Sequence, residues 1–436
     1  MTVKNPHTPV LLRKLAWFAA CVLLFEIGLI AIAPQLHPDS VLKRTERTLE
    51  LRAGNDSIYY MEQGDLAAHQ APNALYETVF FQRGVRFIYP PTALLLYRAW
   101  QQSSRFGISP FFAMNITVFL SFWATLILAG QFLLVLVRSQ SESPWNTRDQ
   151  WLLRVLIAIM GLIFLPLVNA YSLGQVQTLL TLALVASIFL WMRGQRVAPG
   201  ILIGLTCLIK PQMALFLLWA ALRRQWSFAV SLAAMLMTGG LLSIAVFGWH
   251  NSVEYLAVLR YLSRHGDSLA TNQSLNGLLH RLLHVGYFNT SAYGYPPYSP
   301  AIYWLTICGS AIILLAALIV PYRQHITGST LDLLLFAMAT TMASPIAWEH
   351  HYGVFFIVFL AWMPQAAKHR GVFFLLLAAY LLMTDTWAPL SYLMFTRWTF
   401  LLSHVFYGGL LLYIWTLWRG RRQLFLPSNL QDSESV

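Results

Sequence analysis

The sequence predicts an all-α integral membrane protein, a polytopic helical bundle of about ten crossings with additional re-entrant or broken helices. Of the 436 residues, 57% are hydrophobic and only 11% are charged, and the mean hydropathy is +0.57. A soluble domain carries about 25% charged residues, so the composition excludes that class. Clusters of Lys and Arg recur between long apolar runs, as is typical of cytoplasmic loops in membrane proteins.

The first part of the chain predicts one crossing followed by a polar outer loop. The apolar run 15–34 follows a short basic segment and is long enough for an uncleaved membrane helix. Its basic flank predicts a cytoplasmic N-terminus. The polar stretch of about 35–88 is then expected to lie outside. The next apolar run, 89–100, is too short to span, so we interpret it as a half-helix at the outer face.

The rest of the chain alternates between apolar runs and polar connections. Further crossings are predicted at 111–137, 151–169, 176–192, 226–249, 301–320, 331–343, 352–363, 371–384 and 398–418. A second outer loop is expected over about 250–300, with a helix over 272–284. Basic residues at the predicted inner ends place both termini in the cytoplasm. We interpret 1–422 as a single membrane domain and 423–436 as a disordered cytoplasmic tail.

The run 197–222 does not fit a simple crossing. It carries Lys210-Pro211 at its centre and an arginine pair beyond each end. A single crossing would leave one of these pairs outside, against the positive-inside bias. We therefore predict a helical hairpin or broken helix whose apex brings Lys210 into the membrane interior. The alternative is an ordinary spanning helix with a proline kink and a snorkelling lysine.

The stretch 344–352, SPIAWEHHY, places three consecutive ionisable residues between two apolar runs: Glu349, His350 and His351. An ionisable side chain at membrane depth costs about 2.5–3.5 kcal/mol on insertion scales, so it is usually retained for function or for a polar cavity. Pro345 breaks the incoming helix and frees backbone groups. We predict that this stretch forms one wall of a wet site at the outer membrane face.

Several partner classes are not indicated. The net charge of +12 is expected from positive cytoplasmic loops, so no nucleic-acid partner is predicted. Two adjacent histidines project to different sides and do not form a metal-ligand set. The cysteines, Cys21, Cys207 and Cys308, all lie inside apolar runs, which gives no metal-binding spacing. We therefore predict no cofactor, and a divalent metal is not required.

Asp56, in NDSIYY just beyond the first membrane helix, is the strongest catalytic candidate. A hydroxyl group needs a base to become a nucleophile, and a positioned carboxylate provides one. The alternative is that Asp56 caps the helix it precedes. Asp65, after Gly64, is a weaker candidate, with a turn as its alternative role.

Lys210 and Arg86 are suited to a phosphate group, the lysine as a point charge and the arginine as a fork. The alternative for Arg86 is a solvated loop charge. The chemistry of His350 and His351 suits hydrogen bonding to a phosphate or sugar, or proton handling near neutral pH.

Seven short motifs follow one another along the chain. They are Asp56-x-x-Tyr59-Tyr60, Tyr89-Pro90-Pro91, Gly174-Gln175-Val176-Gln177, Gly204 with Lys210-Pro211, Arg223-Arg224-Gln225-Trp226, Asn272-Gln273-Ser274-Leu275, and Ser344-Pro345-Ile346 with Trp348-Glu349-His350-His351. In this order the sequence resembles glycosyltransferase family 87, the polyprenyl-phosphate-mannose-dependent mannosyltransferases of the C-type membrane glycosyltransferase fold. The resemblance runs from about residue 56 to residue 352.

The resemblance implies an inverting hexose transfer, mannose by analogy, from a polyprenyl-phosphate sugar donor to a lipid or glycan acceptor. The site would lie on the extracytoplasmic side of the plasma (inner) membrane, in contact with membrane lipids. Asp56 matches the family's base and Lys210 the lysine that faces the donor phosphate. The expected donor phosphate-binding residues are Lys210, Arg86, His350 and His351. The expected substrate-binding residues are Tyr60, Tyr89, Gln175, Gln177, Asn272 and Glu349.

Two departures from the family pattern concern the site. Gln177 stands where an Asn is common in the family, and the stretch 63–86 does not align in detail. Two alternatives stay open at this point. One is a transporter or flippase of polyprenyl-linked glycans, against which the outer carboxylate argues because no polar path continues to the cytoplasmic side. The other is a C-type transferase that modifies lipid A or protein and differs only in its acceptor.

Overall fold

The computed structural model describes residues 7–35, 40–140, 145–283, 294–324, 326–384, 388–394 and 396–420. Within these ranges the chain is helical and contains no β-strand, which confirms the all-α class. The predicted tail 423–436 lies outside the described residues, as do 36–39 of the first outer loop and 284–293 of the second.

The N-terminal half consists of eight α-helices and two irregular helical turns. The helices are α1 (His7–Ile32), α2 (Val41–Leu49), α3 (Asp56–Gln70), α4 (Ala93–Gln101), α5 (Pro110–Arg138), α6 (Thr147–Leu162), α7 (Leu165–Ser172) and α8 (Gln177–Met192). A π-helix, Glu77–Gln82, precedes α4, and a 3₁₀ turn, Gln102–Phe106, follows it. The described part of the stretch predicted to form the first outer loop is therefore mostly helical.

The C-terminal half adds ten α-helices. They are α9 (Val197–Cys207), α10 (Leu215–Leu222), α11 (Trp226–Phe247), α12 (Trp249–His265), α13 (Leu275–Leu283), α14 (Pro300–Arg323), α15 (Thr330–Met342), α16 (Phe355–Lys368), α17 (Arg370–Thr384) and α18 (His404–Arg419). The 3₁₀ turns are Pro211–Ala214, Glu349–Val354, Ala388–Leu393 and Thr399–Ser403. The helix expected over 272–284 is present as α13.

Five described helical segments are long and apolar enough to cross a membrane, namely α1 from Val10, α5, α11, α14 and Thr399–Arg419. A sixth is obtained if α6 and α7, which are bent by 66°, form one span. The other apolar helices are shorter. A membrane protein is thus supported, and the figure of about ten crossings stays a prediction.

Two short helices form the centre of the bundle. Every residue of α15 is buried, and nearly all of α16 is as well. A helix that is apolar and enclosed on all sides is a core helix. Because these two helices flank the Glu-His-His segment, the fold places that segment inside the protein instead of on a lipid-facing surface.

The segment 197–222 forms a hairpin. α9 starts beside Phe228, whose carbonyl approaches Gly200, and it ends where Leu208 packs against Gly239. α10 then runs back towards the start of α11. The evidence is the contact between the rings of Trp219 and Phe228, whose centroids lie 5.8 Å apart. Both ends of the segment therefore lie at the same end of α11, and the chain reverses at the Lys-Pro pair. This geometry agrees with the predicted hairpin and not with a single kinked crossing.

Arginines gather at the end of the bundle where this hairpin opens. Arg223, just after α10, forms a fully buried ion pair with Asp332 at the start of α15, with Nε and Oδ2 2.7 Å apart. Trp191, at the end of α8, donates to the carbonyl of Gly328 at 2.9 Å. The opposite ends of α8, α15 and the hairpin converge on the cavity described below.

Candidate active site

A cavity of about 750 Å³ lies between the hairpin apex, the start of α8, α12 and the segment after α15. Most of its wall is apolar. Its polar side chains include Tyr89, Gln175, Gln177, Lys210 and His351. A cavity of this size, mainly apolar with a few convergent polar groups, is typical of a site for a small molecule or cofactor. Four distant parts of the chain therefore contribute polar groups to one place.

Asp56 lies beside this cavity and is joined to it by Gln175. It is the first residue of α3, whose N-cap is Asn55, so the structure does not support a capping role. Its Oδ2 accepts a 2.5 Å hydrogen bond from Nε2 of Gln175. Burial raises the pKa of Asp56, and the bond from Gln175 acts in the opposite direction. A raised pKa moves a carboxylate towards the basicity that proton abstraction near neutral pH requires.

The orientation of Gln175 is fixed by its own partners. Ser57 donates to Oε1 of Gln175 at 2.9 Å and accepts from the backbone N–H of Val176 at 2.9 Å. The hydroxyl of Tyr89 lies 3.1 Å from the Ser57 Oγ. Because Oε1 is held by a hydroxyl donor, the NH₂ end of the amide must face Asp56. Gln175 thus holds the carboxylate in place.

The loop before α3 lies directly against the turn between α7 and α8. The N–H groups of Gly54 and Asp56 donate to the carbonyls of Ser172 and Leu173 at 2.9 and 3.0 Å. Gly174 has a φ of +68°, and a Cβ at this position would lie 2.0 Å from the Gly54 oxygen. Only glycine tolerates both conditions. The Gly174-Gln175 motif therefore brings both a backbone contact and the side-chain amide of Gln175 to Asp56.

Four buried polar atoms at or beside the cavity have no hydrogen-bond partner among the described residues: Oε1 of Gln177, Nζ of Lys210, Nε2 of His350 and Nδ1 of His351. Lys210 lies within electrostatic reach of both imidazoles. Buried polar atoms are nearly always paired. A cation and imidazole groups with unused hydrogen-bonding capacity fit an oxyanion or a ligand rich in hydroxyls.

The Glu-His-His segment is supported by residues of the stretch 250–300, which was predicted to form the second outer loop. The N–H of Gln273 donates to the carbonyl of Ala347 at 2.8 Å, and that of Glu349 donates to Thr271 at 3.1 Å. The Asn272 Oδ1 accepts from the Ala347 N–H at 3.0 Å. Asn272 is fully buried and does not line the cavity. The amide that was predicted to contact substrate instead holds the segment in place.

Similarity to known proteins identifies the family of this chain. A sequence model of glycosyltransferase family 87 matches residues 87–345. The chain belongs to glycosyltransferase family 87. The predicted family is confirmed, and with it the prediction of a glycosyltransferase. No solved structure matches the chain.

Two relatives carry the name polyprenol-phosphate-mannose-dependent alpha-(1-2)-phosphatidylinositol mannoside mannosyltransferase. The protein from Mycolicibacterium smegmatis is 26% identical over 321 residues, which cover 70% of this chain and 68% of the relative. The protein from Mycobacterium tuberculosis is 26% identical over 327 residues, which cover 70% of this chain and 69% of the relative.

Arg86 of this family 87 member does not line the cavity. Its guanidinium lies 3.8 Å from Asp267 and donates to the carbonyl of Gly294 at 2.7 Å. Asp267 also accepts from the indole N–H of Trp348, a cavity residue, at 3.0 Å. Tyr60 lies within electrostatic reach of both Asp56 and Arg86. Arg86 is therefore neither a solvated loop charge nor a cavity-lining residue, and its phosphate-binding role stays a prediction.

Two other carboxylates near the site have partners outside the cavity. Asp65 lies within α3, not in a turn, and accepts a 2.8 Å bond from Nε of Arg98. This ion pair gives Asp65 a structural role. Glu349 accepts a 3.1 Å bond from Nδ2 of Asn169 and does not line the cavity. Across the described ranges, no group of three His, Cys, Asp or Glu side chains is arranged to hold a metal ion.

Sequence reasoning missed several residues that organise the site. Arg281, on α13, is fully buried and donates to the hydroxyl of Ser403 and to the carbonyl of Asn272, each at 2.8 Å. Asn169 and Ser57 likewise connect helices across the site. The available signal was a polar or charged residue next to an apolar run. That signal does not tell which helix the side chain will face.

Proposed function

We propose that this chain is a membrane mannosyltransferase. It transfers mannose from a polyprenyl-phosphate donor to a hydroxyl group of a lipid or glycan acceptor, with inversion at the anomeric carbon. Family membership supports the glycosyl transfer. The names of the two relatives specify a polyprenol-phosphate-mannose donor and a phosphatidylinositol mannoside acceptor, which supports the donor and favours a lipid-linked acceptor here.

The observation that carries the proposal is the composition of a single cavity. Lys210 and His351 line it together with a long apolar wall, and Gln175 in the same wall holds Asp56. A polyprenyl-phosphate sugar has the matching parts, namely an apolar chain, an anionic phosphate and a polar ring. In the proposed geometry the phosphate binds at Lys210 and His351, and the sugar lies between them and Asp56.

In the proposed mechanism Asp56 accepts the proton of the acceptor hydroxyl while its oxygen attacks the anomeric carbon. Gln175 occupies Oδ2, so Oδ1 serves as the proton acceptor. The bond between the anomeric carbon and the phosphate oxygen breaks, and polyprenyl phosphate leaves with the electron pair. Lys210 and His351 stabilise the charge that develops on the phosphate. The leaving group is already a stable anion, so one carboxylate suffices.

The apolar part of the cavity supports binding of the donor chain. It is lined by leucines of α10, α12 and α14, at positions 217, 218, 259, 262 and 314. Leu218 and Leu259 keep a large exposed fraction, so the cavity is open along this wall. In the proposed geometry the prenyl chain runs along the wall into the bilayer.

The placement of charges supports a site on the extracytoplasmic side of the plasma membrane. Arg193, Arg196 and Arg223 lie at one end of α8 and the hairpin, and Lys210 lies at the other. Arginine-rich ends of membrane helices favour the cytoplasm. With that end inside, the cavity opens outward, and we propose cytoplasmic termini as well.

The test is transfer by the purified protein in lipid vesicles. A panel of polyprenyl-phosphate sugars is supplied with a phosphatidylinositol mannoside, and both the released polyprenyl phosphate and the product mass are measured. Asp56→Asn should abolish transfer, whereas Glu62→Gln, an exposed carboxylate on the same helix, should not reduce it. Near-normal transfer by Asp56→Asn would contradict the assigned base. Donor movement across the vesicle without release of polyprenyl phosphate would favour a flippase.

A further inference from the structure

Glu349 is a buried carboxylate in the segment that carries the two histidines, and it belongs to a chain of hydrogen bonds. Glu349 is 6% exposed, and its Oε2 accepts from Nδ2 of Asn169 at 3.1 Å. The Asn169 Oδ1 accepts from Nη1 of Arg44 at 2.7 Å. Arg44 also donates to the hydroxyl of Ser172 at 3.3 Å. An arginine of α2 is thus linked through α7 to the Glu-His-His segment.

This series of hydrogen bonds places the positive charge of Arg44 and the negative charge of Glu349 on either side of the Asn169 amide. A buried carboxylate is strongly disfavoured unless a cation or hydrogen-bond donors compensate it. Asn169 supplies a donor. Positive charge comes from Arg44, through Asn169, and from the buried Arg281, which also lies within electrostatic reach of Glu349. Arg44 lies within electrostatic reach of His350, as Lys210 does. His350, the neighbour of Glu349 in the sequence, therefore lies within reach of both cations.

The balance of charge matters because the proposed donor is an anion. Without Arg44, the carboxylate of Glu349 would offset the positive charge of Lys210 at the donor phosphate. With Arg44 in place, its positive charge offsets the negative charge of Glu349 at the position of the donor phosphate. The positive charge of Lys210 then remains available to the phosphate.

We propose that Arg44 is a positioning residue of the donor site. It holds Glu349 through Asn169 and compensates its charge, so that the Glu-His-His segment accepts an anionic ligand. The inference rests on the proposed function, since it specifies how that same site tolerates a carboxylate beside a phosphate. Glu349 is accordingly a structural member of the site, and its contact is with Asn169 instead of the sugar.

The test measures the KM for the donor and the kcat of Arg44 variants in the vesicle assay. Arg44→Met should raise the KM for the polyprenyl-phosphate donor about tenfold, the effect expected of two like unit charges about 12 Å apart at an effective dielectric near 20. The kcat should change little, because Asp56 is not touched. Arg44→Lys should retain most of the affinity. Adding Glu349→Gln to Arg44→Met should restore donor KM, which general damage to the fold would not allow.

Arg52→Met is the matched control, because Arg52 follows the same helix and its side chain is 74% exposed. It should leave donor KM unchanged. If Arg44→Met does not elute as a folded protein, Asn169→Asp replaces it, since it preserves the shape of the amide and adds a carboxylate next to Glu349. An unchanged donor KM in the folded variant, or no recovery in the double variant, would overturn this inference and leave the proposed function standing. A wild-type protein that transfers nothing would overturn both proposals.

Discussion

Replacing Gln175 with leucine should move the acid limb of the pH–rate profile to higher pH. In the wild type the amide donates to the Asp56 Oδ2, which lowers the pKa of a carboxyl group that burial raises. Leucine has a similar size and no donor. The variant therefore keeps the desolvation of Asp56 and loses the interaction that favours its ionised form, so the pKa of Asp56 rises.

A hydrogen bond to a charged group contributes about 1.5–3 kcal/mol. The loss of this bond removes stabilisation of that order from the ionised form of Asp56, so the inflection of the profile moves with its pKa to higher pH. The base acts in its ionised form, so kcat/KM falls as pH drops below this pKa. A higher pKa makes the fall begin at higher pH, while the rate at alkaline pH is affected less.

The measurement is kcat/KM for transfer as a function of pH in vesicles, with saturating acceptor. Gln177→Leu is the control, because Gln177 lines the same cavity and its amide donates to Thr181, not to Asp56. That control should change the height of the profile and not its inflection. If Gln175→Leu shows the wild-type inflection, or if both variants shift equally, the assignment of Gln175 as the partner of the base is refuted.

Three further predictions concern stability and packing. Asp56→Asn should raise the Tm at neutral pH, because folding raises the pKa of Asp56 and its ionised form therefore destabilises the fold. The gain in Tm should shrink as pH falls through that pKa, and a lower Tm at neutral pH would contradict this reasoning. Arg223→Met should destabilise by about 3–5 kcal/mol in denaturant titrations, because it leaves Asp332 buried without its partner; no loss would show that the pair is dispensable. Gly174→Ala should abolish transfer, since a Cβ there would lie 2.0 Å from the Gly54 oxygen, and retained activity would show that this approach is not needed.

The hairpin could be predicted because it depends on charge, which the sequence displays directly. Two basic pairs around a run of limited length are incompatible with one crossing under the positive-inside bias. The bend between α6 and α7 was missed, because residues 155–168 form one continuous apolar run across it. Its signal was Pro166, which lies in the first turn of α7 after Phe164 adopts an extended conformation. A proline in the first turn of a helix has no N–H with which to continue the hydrogen bonds of the preceding helix, and hydropathy does not report that.

The site was predictable to the level of residue type and neighbourhood, and less so in role. Lys210, His351, Gln175 and Tyr89 do line one cavity, as their polar character in an apolar chain indicated. Asn272 was assigned to substrate, and it holds the backbone of the opposite segment. The motif alone could not separate these uses, because an amide suits either one. Which use occurs depends on contacts between segments far apart in sequence.

The hairpin has cations at both of its ends, with arginines at its base and Lys210 at its apex. Its base is fixed by the buried pair of Arg223 and Asp332, so this end needs no ligand to be stable. Its first arm, α9, has 11 residues, which at about 1.5 Å per residue is about 16 Å long. That is roughly half of a hydrocarbon core of about 30 Å. With the arginine end in the cytoplasm, as proposed, Lys210 lies well below the outer surface. A donor phosphate must then be drawn into the protein to meet it, and a cation held at that depth without a protein partner is stabilised by the anion that it binds.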